Sequence, residues 1–178
     1  MLLSDIEIRA EIDSGRLIFD PPVSADRIGV SVDLTLHNTF WESTLPQSEG
    51  IDITVEPSAD PYEYMKPIET QEFVLRPGAF VLGETAQGIS IPQHLCGLIE
   101  GKSGVARHGL IIHCTAPKID PGWGTPRPKR VTLEMVNLGS VSIKLRAGVP
   151  IAQLLLMRLG SPSLRAYAGR HTAKGTSL

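Results

Sequence analysis

The sequence predicts a mostly β protein, a sandwich or barrel of short strands with one short helix at its start. Three observations carry that prediction. Hydrophobic residues fill 42% of the 178 positions while aromatics fill only 5%, and 17 Gly with 14 Pro supply turn-forming positions along the whole chain. Apolar residues recur in short alternating runs bounded by Gly or Pro, not at helical spacing over long windows. The length suits one substantial core better than two, so residues 1–178 are read as a single domain.

The elements follow in order. Ser4-Asp5-Ile6-Glu7 has the form of a capping box, in which Ser accepts from first-turn amides and the Glu three residues on returns the bond. Ile8 and Ile12 then fall at helical spacing before Gly15, a suitable stop. From Val30 the pattern alternates, with Val30, Val32, Leu34 and Leu36 on one face and Ser31, Asp33, Thr35 and His37 on the other: a half-buried strand. Residues 43–70 carry Pro46, Pro57, Pro61 and Pro67 around one alternating run, Ile51–Val55, read as a strand between long loops. Further short strands are expected at Phe73–Leu75, Ala79–Gly83, Gly88–Ile91, Leu98–Glu100, Leu110–His113, Val131–Val136, Val141–Leu145 and Ile151–Met157.

The start Met1–Asp5 lacks a basic region followed by an apolar one, and no apolar run reaches membrane-spanning length, so a soluble, cytoplasmic protein is expected. Cys96 and Cys114 form no CxxC pair and read as small apolar residues in a reducing compartment. Charge is divided sharply. Residues 1–100 hold 5 Lys or Arg against 17 Asp or Glu, and residues 101–178 hold 12 against 2, which leaves −12 and +10. A basic portion implies an anionic partner, either nucleic acid or a small polyphosphate. The aromatic content of 5% leaves few stacking platforms for single strands, which argues against nucleic acid. Asp120 and Glu134 are the only carboxylates after position 100, and each is either an ion-pair partner or a catalytic group.

Gly101-Lys102-Ser103-Gly104 invites comparison with a phosphate-binding P-loop, but the preceding glycine is Gly97, one residue too close. Small residues beside Lys102 and Arg107 still allow amides and cations to approach phosphate, and a plain glycine-rich turn between strands fits the residues as well. The order of segments is more specific: Gly101–Leu110, His113–Trp123 with Ile119-Asp120-Pro121-Gly122-Trp123 at its end, Thr132-Leu133-Glu134, and Gly148–Leu154. Together with Ser4-Asp5, Gly15-Arg16-Leu17, Asp20-Pro21 and Ser31–Leu36 near the start, they closely resemble the dCTP deaminase family, which shares its fold with trimeric dUTPases. The resemblance covers nearly the whole chain.

That resemblance implies a distorted β-barrel or jelly-roll of the trimeric dUTPase type, and hydrolysis of the 4-amino group of dCTP to give dUTP and ammonia without zinc. Lys102, Ser103, Gly104, Val105, Ala106 and Arg107 match the family's nucleotide-binding segment. Ala116 falls in the next matching stretch, and Asp120 matches the aspartate beside the sugar and the reacting water. Thr132, Leu133 and Glu134 match the strand that contacts the pyrimidine, with Glu134 in the catalytic position and Ser103 and Arg107 as supporting polar groups. Tyr167 and Lys174 match a pair in a closing arm, which sets 160–178 as an arm over the site. Three subunits would share their sites, with Lys118 reaching a neighbour, and Mg²⁺ would enter on the triphosphate.

Chemistry supports these roles. Removing the amine from C4 needs a proton taken from water and one given to nitrogen, which a single carboxylate can shuttle. Zinc deaminases carry H-x-E with P-C-x-x-C, and neither element is present; His94, Cys96, His113 and Cys114 lack standard ligand spacing. The chain departs from the family's pattern in three places. Pro117-Lys118 stands where single-activity deaminases tend to have His-Arg and bifunctional ones Gly-Phe. The turn Gly124–Arg130 is a few residues longer than usual and rich in basic residues. Gly175 and Leu178 replace the aromatic and glutamine that usually follow the arm lysine. A dUTP pyrophosphatase using Asp120, a bifunctional enzyme and a non-catalytic nucleotide-binding regulator are the competing readings.

Overall fold

In the computed structural model, which describes residues 1–46, 50–51 and 61–168, the chain opens with helix α1, Asp5–Asp13. The capping box forms as the sequence predicts: Glu7 N–H donates to Ser4 Oγ at 3.4 Å and Ser4 N–H donates to Glu7 Oε2 at 2.9 Å. One face of α1 buries Ile8 completely. It also buries Glu11, whose carboxylate meets Arg16 Nε at 2.7 Å, His94 Nε2 at 3.0 Å and an Arg158 guanidinium nitrogen at 3.5 Å.

Eleven strands follow among the described residues: β1 Ile18–Asp20, β2 Val32–Ser43, β3 Met65–Glu69, β4 Glu72–Leu75, β5 Phe80–Ser90, β6 Leu95–Gly101, β7 Leu110–Ile111, β8 Lys118–Ile119, β9 Lys129–Asn137, β10 Ile143–Arg146 and β11 Pro150–Arg158. Helix α2, Ser103–Ala106, lies between β6 and β7. Nine strands form one antiparallel sheet in the order β7-β9-β5-β2-β11-β6-β8, with β1 on β5 and β3 on β2, while β4 pairs with β10. The two ends of the long sheet are joined by one stretch of chain. Residues 110–111 pair with β9 and 118–119 with β6, and the path between them adds Glu134 N–H to Ile112 O at 3.0 Å and Ile99 N–H to Pro117 O at 2.8 Å. Segment 110–119 thus curls the sheet toward a barrel. Inside lie Leu34, Leu36, Phe40, Ile89, Leu133, Met135 and Leu154, each 1% exposed or less, with Phe40 stacked on Phe73 at 4.8 Å.

Two differences from the sequence reading have physical causes. The strands expected at Ala79–Gly83 and Gly88–Ile91 are one strand, β5, carrying a bulge where Thr85, Ala86 and Gln87 oppose Val131 alone. The polar run reads as a loop, yet Thr85 and Gln87 are buried because each polar group finds a partner. Thr85 Oγ1 accepts from Val131 N–H at 3.0 Å and donates to Gln87 O at 2.7 Å; Gln87 Oε1 accepts from Thr35 N–H and Gln87 Nε2 donates to Thr35 Oγ1, both at 2.9 Å. Strand β3 runs through Pro67, which the sequence reading left in a loop; β3 pairs only with β2, and an edge tolerates a missing donor. Gly97 sits mid-strand in β6, where a Cβ would come within 2.8 Å of Leu154 Cδ1 and 3.1 Å of Ile91 Cδ1, so it serves barrel packing and not a phosphate loop. The strand expected over 51–55 lies, Ile51 apart, outside the described residues. No helix among those described is long and apolar enough to cross a membrane.

Candidate functional site

Alternation along β9 determines what the strand presents. Val131, Leu133 and Met135 face the core while Thr132, Glu134 and Val136 face outward. Backbone groups alternate too: Val131 N–H points to β5 and Glu134 N–H to Ile112, so Leu133 turns both its side chain and its backbone away from the outer edge. The Leu133 side chain is buried between the outward-facing Thr132 and Glu134.

Glu134 is half-buried, and its Oε2 accepts from Cys114 N–H at 2.7 Å. The turn that aims this amide is tight: Thr115 holds a φ of 66° and its N–H donates to His113 O at 2.9 Å. A β-branched residue in the left-handed region costs on the order of 1–3 kcal/mol, and here it sits beside the carboxylate in question. Glu134 Oε1 takes no hydrogen bond among the described residues, so one oxygen is fixed and the other is available. Burial, and then the Glu134 charge, push the Cys114 thiol above its ordinary range, which keeps it a neutral thiol and not a nucleophile. Next along the strand, Thr132 Oγ1 lies 3.1 Å from Tyr62 Oη, and the Tyr62 ring packs edge-on against Trp41 at 5.3 Å.

No hydrogen bond or ion pair joins the basic segment 102–107 to Glu134 among the described residues. Lys102 precedes α2 and its ammonium meets Asp33 Oδ1 at 2.5 Å, so this expected phosphate ligand is held by β2. Ser103, Gly104, Ala106 and Arg107 are exposed and Val105 is partly buried against the core. The Ser103 and Arg107 side chains make no hydrogen bond or ion pair among the described residues.

A third group surrounds Asp120, whose Oδ1 accepts from Lys118 Nζ at 2.7 Å. That hydrogen bond, with the Asp120 charge, raises the Lys118 ammonium above its usual range and keeps it cationic. Beyond β11 the chain runs along the same surface, with Leu159 N–H on His94 O, Ser163 N–H on Gln93 O and Tyr167 N–H on Pro121 O. The Tyr167 ring rests 5.2 Å from that of Trp123. Burial, then Asp120, raises the Tyr167 phenol, so it is a neutral donor. Ala116 is exposed in the loop before β8, and Lys174 lies outside the described residues.

Glu134, Thr132, Asp120, Lys118 and Tyr167 are thus on the surface in two groups, with Ser103 and Arg107 in a third. The sequence reading missed three contributors: the Cys114 amide, Asp33 as the Lys102 partner, and Tyr62. A backbone donor has no residue-type signal, and Asp33 and Tyr62 become visible only once register is known. For metals, His94 is engaged with Glu11 and His113 with Glu100 at 3.3 Å. No three His, Cys, Asp or Glu gather as a ligand group among the described residues.

Residues 2–159 match the family model described as dCTP deaminase-like. A protein of Parafrankia sp. (strain EAN1pec) named dCTP deaminase, dUMP-forming, is 42% identical over 167 residues, covering 94% of this chain and 81% of that one. A protein of the same name from Mycobacterium tuberculosis (strain ATCC 25618 / H37Rv) is 38% identical over 174 residues, covering 94% and 85%. Among solved structures, the 2'-deoxycytidine 5'-triphosphate deaminase of Agrobacterium tumefaciens superposes with a TM-score of 0.67 at 18% identity, over 89% of this chain. This chain spans 49% of that structure's length, and the likeness is one of fold.

Proposed function

The chain belongs to the dCTP deaminase-like family, and from that premise we propose that it hydrolyses dCTP to ammonia, pyrophosphate and dUMP. The observation that carries the reading is the half-held carboxylate of Glu134, with one oxygen fixed by the Cys114 amide and the other open on the outward face of a rigid strand. In this reading Glu134 takes a proton from the water attacking C4 and returns it to the departing amine, so dCTP and one water give dUTP and ammonia. A second water attacks the α-phosphorus beside Asp120, and dUMP and pyrophosphate leave. The relatives' name, dUMP-forming, displaces dUTP, expected from the sequence, as the released product. The substrate is the Mg²⁺ complex of dCTP, with the ion on phosphate oxygens and water. The reading is zinc-independent, since the H-x-E and P-C-x-x-C signature of zinc deaminases is absent from the sequence.

The reading includes a trimer with shared sites. Val136, two residues beyond Glu134 on the same outward face, is flanked in register by Phe80 and Ile111, which are 44% and 37% exposed. An apolar stripe beside a half-built site suits a second copy of the chain, which would cover it and bring Ser103 and Arg107 to Glu134. Residues 160–178, with Tyr167 and Lys174, serve as the arm over the nucleotide.

The test is a product assay with dCTP and, separately, dUTP. Ammonia, pyrophosphate and dUMP from dCTP support the proposal; ammonia with accumulating dUTP reduces it to deamination alone; binding of dCTP without turnover rejects it.

A further inference from the structure

The long turn after Trp123 builds a cavity of about 270 Å³, lined by Gly122, Gly124, Thr125, Arg127, Lys129 and Tyr167, with Pro126 between them. That volume falls below the roughly 300–1,000 Å³ of sites for drug-sized ligands, so the occupant is small. The lining includes two cations and two hydroxyl groups but no carboxylate. The neighbouring Asp120 is occupied by Lys118 at 2.7 Å. Arg127 is exposed and makes no ion pair or hydrogen bond among the described residues.

The walls are set before any ligand arrives. Pro126 and Pro128 restrict the backbone on both sides of Arg127. Gly122 takes a φ of 82°, and a Cβ there would come within 2.7 Å of Ala166, so the turn and the tail residues before Tyr167 are in close contact. Trp123 Nε1 donates to Lys129 O at 3.4 Å, which ties the two sides of the turn together. Thr125 Oγ1 lies 3.3 Å from Ser90 Oγ, which anchors the turn to β5.

We propose that this cavity is a phosphoryl-anion pocket, in which Arg127 and Lys129 neutralise the anion and the Tyr167 hydroxyl donates to it. Arg forms paired, charge-assisted hydrogen bonds with phosphate oxygens, which distinguishes this ligand class from chloride. An occupant touching Tyr167 also bridges the Tyr167 ring and the 122–129 turn. The anion is either a free phosphoryl ion, such as inorganic pyrophosphate, or the phosphate tail of a nucleotide.

Calorimetric titration of the full chain with sodium pyrophosphate, and separately with inorganic phosphate, at fixed ionic strength, tests this. One saturable site per chain is expected, weakened about tenfold or more in Arg127→Ala and unchanged in Arg76→Ala, an exposed cation in the turn between β4 and β5. No saturable binding by wild type, or wild-type binding by a folded Arg127→Ala, overturns the proposal. Competition assigns the source: displacement of pyrophosphate by dCTP, with weaker dCTP binding in Arg127→Ala, makes the occupant a nucleotide tail, whereas simultaneous binding makes it a free anion. Titration reads binding and not turnover, so its failure is distinguishable from failure of the deaminase reading.

Discussion

At the scale of single residues, the most telling side chains are carboxylates whose surroundings differ. Glu11 is buried under α1; burial alone pushes its carboxyl up, but hydrogen bonds and charges from Arg16 and His94 outweigh this and hold it below its ordinary value of 4.5. A carboxyl depressed in the folded state contributes stability that is present above its unfolded value and lost as pH falls through the folded one. Wild type is therefore expected to lose stability below about pH 4.5. Glu11→Gln should lower stability at neutral pH by about 2 kcal/mol and flatten that acid dependence, as read by urea unfolding between pH 7 and pH 3. Glu134 was legible in the sequence as one of two carboxylates in a basic half. The amide that holds it was not, because any residue except proline at position 114 supplies the same N–H; Thr115, in a conformation glycine would favour, gives the turn away only in three dimensions.

Elements were legible where burial follows a simple period. The capping box of α1 and the alternation of β9 form as the residues dictate, whereas β2 begins only at Val32, leaving Val30 62% exposed, and buries Thr35 of the expected polar face against Gln87. Legibility fails at the β5 bulge, since Glu84-Thr85-Ala86-Gln87 is polar by composition and buried by pairing. The bulge also steadies the strand that carries Glu134, because Thr85 Oγ1 receives the Val131 amide. Gln87→Ala removes the partner of Thr35 and leaves buried polar groups unmet, at a cost of about 2 kcal/mol. Guanidinium unfolding reads the loss of stability, and faster amide exchange at Val131 reports the loosened start of β9; exchange unchanged from wild type would detach the bulge from the site.

For the whole molecule, the sequence carried the family, the mostly β architecture and the division of charge, and residues 2–159 match that family's model. It did not carry the spatial relation of the candidate residues, because linear order says nothing about distance: in one chain no hydrogen bond or ion pair joins Ser103 or Arg107 to Glu134 among the described residues. In the trimer proposed above, the exposed Phe80–Val136–Ile111 stripe is the surface through which copies would associate. Ile111→Asp places a charge in that stripe at an exposed position. It should turn a trimer into monomers by sedimentation while leaving the fold's circular dichroism unchanged, and should abolish turnover although Glu134 is intact. A monomeric wild type with full activity would refute the shared site. Proton transfer by Glu134 is tested by comparing Glu134→Gln with wild type for dCTP binding and for ammonia release. The account predicts dCTP bound as tightly as by wild type with ammonia release slowed about 100- to 10,000-fold, the range a lost proton carrier commands; ammonia release at the wild-type rate would contradict it.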